Sequence, residues 1–213
     1  VEGFRLFRNN PALLTFLVGA VVAFVGATAL REFGAEIFTV ELVSISFLRE
    51  FGVLLTAILI AGRSGSAFTA QIGSMKSREE LDAIQALGLD AIELLVIPRL
   101  LALFVMLPLL TFIAMMMGIV GGGIVGTLAL DITPGMFISR VQEMTGVEHF
   151  WVGMVKAPVF AFLIATVGCL EGFKVEGSAE SVGRHTTASV VQSIFLVIVF
   201  DSLFAMFFME MDI

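Results

Sequence analysis

Ionisable side chains lie inside long apolar runs of the sequence, where charge is costly. Arg49 and Glu50 are adjacent in the second run, Lys156 lies in the fourth and Asp201 in the fifth. A charge near the centre of a bilayer costs about 2.5–3.5 kcal/mol on insertion scales, so each needs a partner or a water-filled cavity. Opposite signs allow the pairs Arg49–Asp201 and Glu50–Lys156, which the sequence does not fix. These residues either hold the spans together or form a polar site that meets a lipid headgroup or transmits a conformational stroke.

The tetrapeptide GRSG, residues 62–65, matches the G-x-S-G of rhomboid-type intramembrane serine proteases. A serine nucleophile needs a histidine on a neighbouring element to take its proton. The chain has two histidines, His149 and His185, and five membrane spans would place them at opposite faces of the membrane, with His185 on the face where the second run ends. Four matching residues are a weak signature, so proteolysis is a remote alternative.

Other chemistries lack the residues that they need. The single cysteine, Cys169, lies in an apolar run, which excludes a disulfide framework and a cysteine-based metal site. The sequence has no G-x-x-x-x-G-K-[ST] and therefore lacks the usual phosphate cradle for ATP. It has no basic run typical of nucleic-acid binding. We expect no enzymatic activity and no cofactor in this chain.

The elements that position these residues are predicted to be membrane-spanning helices. Of 213 residues, 58% are hydrophobic and 15% charged, against a charged fraction nearer a quarter in soluble domains. The mean hydropathy is +1.03. Helices cross a bilayer with roughly 20 residues. The composition predicts an all-α polytopic membrane protein with spans at about 11–31, 42–62, 95–130, 150–173 and 189–209.

The third apolar run is too long for one straight span, since at 1.5 Å per residue it would reach about 54 Å. It is therefore either one helix that extends beyond the membrane or a hairpin that gives six spans. Five spans put eight basic residues on the side of the N-terminus and two on the other, and a hairpin would weaken this bias. Because basic residues stay cytoplasmic, we predict five spans with the N-terminus inside. The eight are Arg5, Arg8, Arg63, Lys76, Arg78, Arg99, Lys174 and Arg184, and the two are Arg31 and Arg140.

A short polar helix is predicted over residues 77–88, between the second and third spans. Ser77 and Glu80 have the spacing of a capping box, acidic residues fill the first turn, and Gly88 is suited to a left-handed stop. Leu81, Ile84 and Leu87 recur every three residues and give one apolar face. So short a helix is marginal alone, so this face packs on the protein's own spans or lipid, or docks on a cytoplasmic partner.

A second short helix is predicted in DITPGMFISRVQEM, between the third and fourth spans. Pro134 follows Thr133 at a plausible helix start. Phe137, Ile138, Val141 and Met144 follow at helical spacing. The segment is either an amphipathic helix at the outer surface or an ordinary loop helix.

Three glycines form overlapping G-x-x-x-G steps in the third span. They are Gly118, Gly122 and Gly126. Small residues at this spacing let helix backbones approach closely. The stripe therefore packs either inside the subunit, which is the simpler interpretation, or against a second copy.

The sequence resembles the MlaE permease family, the membrane subunits of ABC transporters that move phospholipids between bacterial membranes. The resemblance is carried by FLREFGVLLTAILIAGRSGSAFTAQIGSMKSREELDAIQALGLDAIELLVIPRLLA, LPLLTF, GIVGGGIVG and GSAESVGRHTTASVVQSIFLVIVFDSLF. It runs from about Gly19 onward without large gaps. The front departs from the family, which usually carries an interfacial helix before the first span. We expect one permease domain over residues 1–213, preceded by a further N-terminal region.

The resemblance implies an assembly as well as a fold. It implies a homodimer in the bacterial inner membrane, cytoplasmic ATPase subunits that bind ATP and Mg, and a periplasmic ring of MCE-domain subunits. Helix 77–88 matches the family's coupling helix, and the family carries charges at positions matching the intramembrane ones. An ion-coupled secondary transporter is the alternative, although the internal repeats that would favour it are not evident. The implied ATPase-docking residues are Arg78, Glu79, Glu80, Leu81, Asp82, Ile84 and Leu87.

Overall fold

The computed structural model describes residues 11–129 and 132–211. Within these ranges it contains seven helices, five of which are long and apolar enough to cross a membrane. This confirms the prediction of an all-α protein with five spans. Arg5 and Arg8, which entered the charge count, lie outside the described residues. The spans are α1 (Pro11–Arg31), α2 (Phe38–Ser77), α4 (Ile92–Ala129), α6 (Val147–Phe173) and α7 (Ala179–Glu210), and the short helices are α3 (Glu80–Ala86) and α5 (Pro134–Met144).

The second span is a 40-residue helix, twice as long as its apolar run, because the polar residues 63–77 continue it. Two π-helical turns, Phe47–Phe51 and Ala61–Gly65, interrupt its α-helical geometry. The first contains Arg49 and Glu50, and the second contains the GRSG serine, Ser64. π-Turns concentrate at functional sites, and the periodicity of the sequence does not predict them.

The third apolar run forms a single 38-residue helix, Ile92–Ala129. Its first turn, Ile92–Val96, is π-helical, and Pro108 lies in its interior. The alternative of a hairpin with six spans is therefore wrong. A proline is tolerated here because neighbouring groups in a membrane helix satisfy the carbonyl that it frees.

The described helices fall into two compact units, and α2, α4, α6 and α7 each contribute to both. The first unit contains described residues from 11–56, 109–155 and 208–211. Its core joins Ala23 of α1 to Val43 and Phe47 of α2. In a second cluster, Phe137 of α5 packs with Val40 of α2 and with Ile132, and this packing holds α5 against α2.

The second unit contains residues 57–108 and 156–207, and its core lies beneath α3. Ile72 of α2, Leu81 of α3, Leu95 of α4 and Cys169 of α6 are all buried there. Three spans thus form the platform on which the short polar helix rests. This platform positions the candidate site.

The second short helix, α5, begins where the sequence predicts. The side-chain oxygen of Thr133 accepts a hydrogen bond from the Met136 N–H at 3.3 Å, and Pro134 occupies the first helical turn. Phe137 is buried, whereas Ile138 and Met144 are 57% and 43% exposed. Arg140 Nη2 lies 3.0 Å from Glu41 Oε1, so an ion pair also ties α5 to α2.

Candidate functional site

The polar helix α3 is shorter than predicted and begins differently. It runs from Glu80 to Ala86, and the residue before it, Glu79, has a φ of 62° with no side-chain cap. The Ser77 hydroxyl donates to the carbonyl oxygen of Gly73 at 2.9 Å, because Ser77 is the last residue of α2. The capping box of Ser77 and Glu80 is therefore wrong. Gly88 has a φ of 75°, which confirms the left-handed stop.

The three apolar residues of α3 do not share one environment. Leu81 is 6% exposed and belongs to the buried cluster, with Ile84 packed beside it. Leu87 is 76% exposed, because six residues of α-helix place it about 120° around the axis from Leu81. Leu81 and Ile84 hold α3 on the protein's own spans, and Leu87 is left as the apolar side chain open to a partner. The three residues thus do not form the single apolar face that the sequence predicts. Leu81 and Ile84 anchor α3, and Leu87 is exposed at its end.

The charged residues in α3 and just before it are accessible to solvent. Arg78 Nη1 lies 3.7 Å from Glu80 Oε1, with both side chains largely solvent-exposed. Glu79 and Asp82 are exposed as well. Exposed pairs of this kind contribute 0–1 kcal/mol to stability. The charges are therefore free to meet a complementary surface.

An apolar groove of about 460 Å³ runs beside α3, between the start of α4 and the end of α6. Two of its lining residues, Gln85 and Leu89, flank Leu87 in the chain. Its lining is Gln85, Leu89, Asp90, Ala91, Ile92, Val96, Thr166, Cys169, Leu170 and Phe173.

Two of the intramembrane charges form a buried ion pair. Lys156 Nζ on α6 donates to Asp201 Oδ1 on α7 at 3.0 Å. The lysine side chain is 0% exposed and the aspartate side chain 13% exposed. The pair joins α6 to α7 and gives each of the two charges a partner of opposite sign.

Arg49 lies in the first π-turn of α2 and reaches α6. Its Nη1 is 3.2 Å from His149 Nδ1, and both residues are half-buried, as is the neighbouring Glu50. The structure shows the contacts Lys156–Asp201 and Arg49–His149, and the pairs Arg49–Asp201 and Glu50–Lys156, which the signs of the charges allow, stay predictions. His149 lies just before the apolar run 150–173, so the hydropathy pattern does not mark it as a partner for an intramembrane charge.

The glycine stripe of α4 meets other helices of the same unit. A Cβ on Gly118 would overlap the ring of Phe47, and one on Gly122 would lie 2.5 Å from Val43 Cγ1. At Gly126 the nearest side-chain atom, Phe137 Cδ2, would be 3.7 Å away, an ordinary contact. Gly118 and Gly122 therefore pack inside the subunit against α2, and Gly126 lies over α5.

One buried charge cluster was missed from the sequence. Glu171, near the end of α6, is 2% exposed. Its Oε1 accepts from Lys174 Nζ at 2.6 Å and its Oε2 lies 2.7 Å from His185 Nδ1 on α7. The signal was an acidic residue inside the apolar run 150–173, with a histidine at the start of the next helix.

Both histidines are thus engaged by other side chains. His149 contacts Arg49, and His185 contacts Glu171. Ser64 lies in the second π-turn of α2, with no hydrogen bond to His185 within the described unit that contains both. The geometry gives no support to the protease alternative.

Comparison with known proteins agrees with this architecture. The family model described as Permease MlaE matches residues 11–207. A probable ABC transporter permease protein of Synechocystis sp. is 38% identical over 189 residues, which are 88% of this chain and 72% of that protein. A probable ABC transporter permease protein of Rickettsia bellii is 34% identical over 199 residues, 93% of this chain and 77% of that protein. The intermembrane phospholipid transport system permease protein MlaE of Haemophilus influenzae is 32% identical over 185 residues, 86% of this chain and 71% of that protein.

The family match covers nearly all of the five spans, including the α2–α3–α4 segment and the buried pairs of α6 and α7. The same findings set aside the secondary transporter and the protease as classes for this chain. The chain belongs to the MlaE permease family and is the permease component of an ABC transporter.

Proposed function

We propose that this chain is the translocation subunit of an ATP-driven phospholipid transporter of the bacterial inner membrane. It moves lipids between the inner and outer membranes and works as a homodimer. ATP and Mg are bound by a separate cytoplasmic ATPase, and an MCE-domain protein receives or supplies the lipid on the periplasmic side. The name of the Haemophilus influenzae relative, which specifies intermembrane phospholipid transport, supports this choice of substrate.

The observation that carries the proposal is the division of α3 into an anchor and an exposed end. Leu81 is buried on three spans, while Leu87 is 76% exposed and lies in the chain between Gln85 and Leu89, two residues of the apolar groove. An apolar side chain at the tip of an anchored helix, with charges around it, suits a helix-in-groove contact. We propose that the ATPase docks here.

The orientation follows from the same site. α3 lies between the second and third spans, on the face that also holds the α6–α7 connection. We propose that this face is cytoplasmic, with the N-terminus on the same side, because most basic residues flank the spans there. α5 then lies on the periplasmic side.

The test is a reconstituted complex that carries Leu87→Arg. The tagged permease is extracted with its partners, and ATPase association is measured together with transfer of a fluorescent phospholipid from proteoliposomes. We expect the substitution to remove the ATPase and transport while the permease stays inserted, because a charge replaces the exposed apolar contact. Ala179→Arg is the control, since Ala179 is exposed on the same face outside α3.

Normal assembly and transport of the Leu87→Arg complex would contradict the docking assignment. Leu81→Ala separates docking from anchoring. It removes a buried side chain and should lower the free energy of unfolding by about 2–5 kcal/mol, whereas Leu87→Ala should change it by no more than about 0.5 kcal/mol. Thermal unfolding of the purified permease measures both.

A further inference from the structure

Two polar pairs join α6 to α7, and their polarity is reversed between the two ends. At one end α6 supplies the carboxylate of Glu171 and α7 supplies His185. At the other end α6 supplies Lys156 and α7 supplies Asp201. The pairs are about 22 Å apart along α6 and about 24 Å apart along α7, at the rise of an α-helix. A reversed pattern of this kind is satisfied in only one antiparallel register.

Glu171 is the more deeply buried member of its cluster. Its side chain is 3% exposed, against 16% for His185 and 49% for Lys174. Lys174 lies three residues further along the chain, just past the end of α6. Only the contact with His185 therefore connects two helices. That contact is an ion pair when the imidazole is protonated and a hydrogen bond when it is neutral.

The row of α7 that carries both pairs is the row that the helix buries. Ser181, Ser189, Ser193 and Val197 are the buried residues of α7. With His185 and Asp201 they recur at steps of four, from residue 181 to residue 201. Such four-residue ridges are the surfaces along which helices pack. The two pairs therefore lie at opposite ends of a single packing ridge.

The end of α6 is also the part of the platform that supports α3. Leu81 belongs to the buried cluster that contains Cys169 of α6, and Phe173 packs on that cluster. Lys76 Nζ, at the end of α2, donates to the Phe173 carbonyl oxygen at 2.5 Å. The corner that follows is ordered by its own hydrogen bonds, since the Glu176 and Ser181 N–H groups donate to the hydroxyls of Ser181 and Ser178. A displacement of α3 thus reaches α6 two residues from Glu171.

We propose that Glu171 is a positioning residue, which through His185 locks the end of α6 to α7 so that movement of α3 is transmitted to the fifth span. This rests on the proposed function, in which an ATPase acts on α3. Without the Glu171–His185 contact, α6 moves with α3 while α7 does not follow. Hydrolysis then continues without a matching displacement of the lipid-translocating spans.

A purely stabilising role makes a different prediction from a positioning role. If Lys174 and His185 only neutralise the buried carboxylate of Glu171, loss of Lys174 should impair transport as much as loss of His185. If Glu171 locks two helices, His185 matters and Lys174 does not. The chain therefore offers a matched control in which the same carboxylate loses a partner without losing the contact between helices.

The first experiment measures phospholipid transported per ATP hydrolysed by the reconstituted complex. For Glu171→Ala and His185→Gln we expect the ATPase to stay bound and the ratio to fall roughly tenfold, the factor expected from the loss of one charge-assisted hydrogen bond. For Lys174→Ala we expect a ratio within about twofold of wild type, as for an exposed pair. His185→Gln, a partly exposed position, keeps the test usable if Glu171→Ala fails to fold.

The second experiment needs no ATPase. Spin labels at residues 87 and 191, both exposed, are introduced as Leu87→Cys and Val191→Cys with Cys169→Ala, and the distance between them is measured by pulsed electron resonance in nanodiscs. We expect one narrow distribution in the otherwise native chain and with Lys174→Ala. We expect a broadened or shifted distribution with Glu171→Ala or His185→Gln.

Equal effects of all three substitutions, or unchanged distances and ratios, would overturn the proposal. A wild-type permease that binds no ATPase would instead defeat the proposed function. In that case the distance measurement still decides whether Glu171 locks α6 to α7.

Discussion

Lys156 and Asp201 form an ion pair between α6 and α7, in which Nζ lies 3.0 Å from Oδ1 and the lysine side chain is wholly buried. A buried pair gives little net stability over an apolar alternative, but removing one partner leaves a charge whose desolvation is uncompensated. Replacing either member of the pair is therefore expected to destabilise the protein. It also explains how two charges are accommodated in spans that are otherwise apolar.

We predict that Asp201→Asn lowers the free energy of unfolding by about 3–5 kcal/mol, because it removes the negative charge 3.0 Å from the buried Lys156 Nζ. Asp201→Glu keeps the charge and should cost less. Thermal unfolding of the permease in detergent measures the difference, with membrane abundance as a second readout. Equal melting temperatures for Asp201→Asn and Asp201→Glu would show that charge is not what holds this contact.

The glycine stripe of α4 gives a graded prediction. Gly118→Ala and Gly122→Ala should each lower the free energy of unfolding by about 1–3 kcal/mol, because the new methyl group meets Phe47 or Val43 inside van der Waals contact. Gly126→Ala should be neutral or stabilising by up to about 1 kcal/mol, because it gains helix propensity in ordinary contact distance of Phe137. Thermal unfolding of the three variants side by side checks the order, and a flat series would contradict it.

The two residues with positive φ on either side of α3 give predictions of opposite sign. Glu79 has a φ of 62° and Gly88 a φ of 75°, in the left-handed region that costs an L-residue about 1–2 kcal/mol. Glu79→Gly should therefore stabilise the permease by about 0.5–1 kcal/mol, and Gly88→Ala should destabilise it. Glu79→Ala is the control, since it removes the carboxylate and keeps the strain. If Glu79→Gly and Glu79→Ala melt together, the left-handed conformation is not the source of the difference.

Much of the fold could be predicted from hydropathy, because the bilayer requires long apolar helices. The five spans follow from the five apolar runs. Their ends do not, because helices outside the apolar region are set by packing: α2 continues through polar residues to Ser77, and α7 begins ten residues before its apolar run. The predicted start of α3 was wrong for a related reason. Ser77 belongs to α2, and a strained turn at Glu79 replaces the capping box.

The candidate site could be located from the sequence, but its contacts could not. Gly88 marked the end of α3 correctly, yet the burial of Leu81 and the exposure of Leu87 depend on the platform of three spans beneath them. Pairing of charges depends on helix register, which a list of signs does not contain. Asp201 contacts Lys156, and Glu171 contacts His185, which lies fourteen residues away on the next helix.

The π-turns of α2 change how its surface can be described. Each π-turn holds one residue more than an α-turn, so every side chain beyond it is rotated by about 100° relative to an unbroken α-helix. After both turns, Phe47–Phe51 and Ala61–Gly65, the accumulated rotation is about 200°. A helical wheel drawn through the whole of α2 would thus assign the residues from Ser66 onward to the wrong side. Deleting one residue within either turn would restore an α-turn and leave the residues beyond it, and with them the attachment point of α3, facing the same neighbours, whereas the same deletion in an α-helical part of α2 would turn them by about 100°.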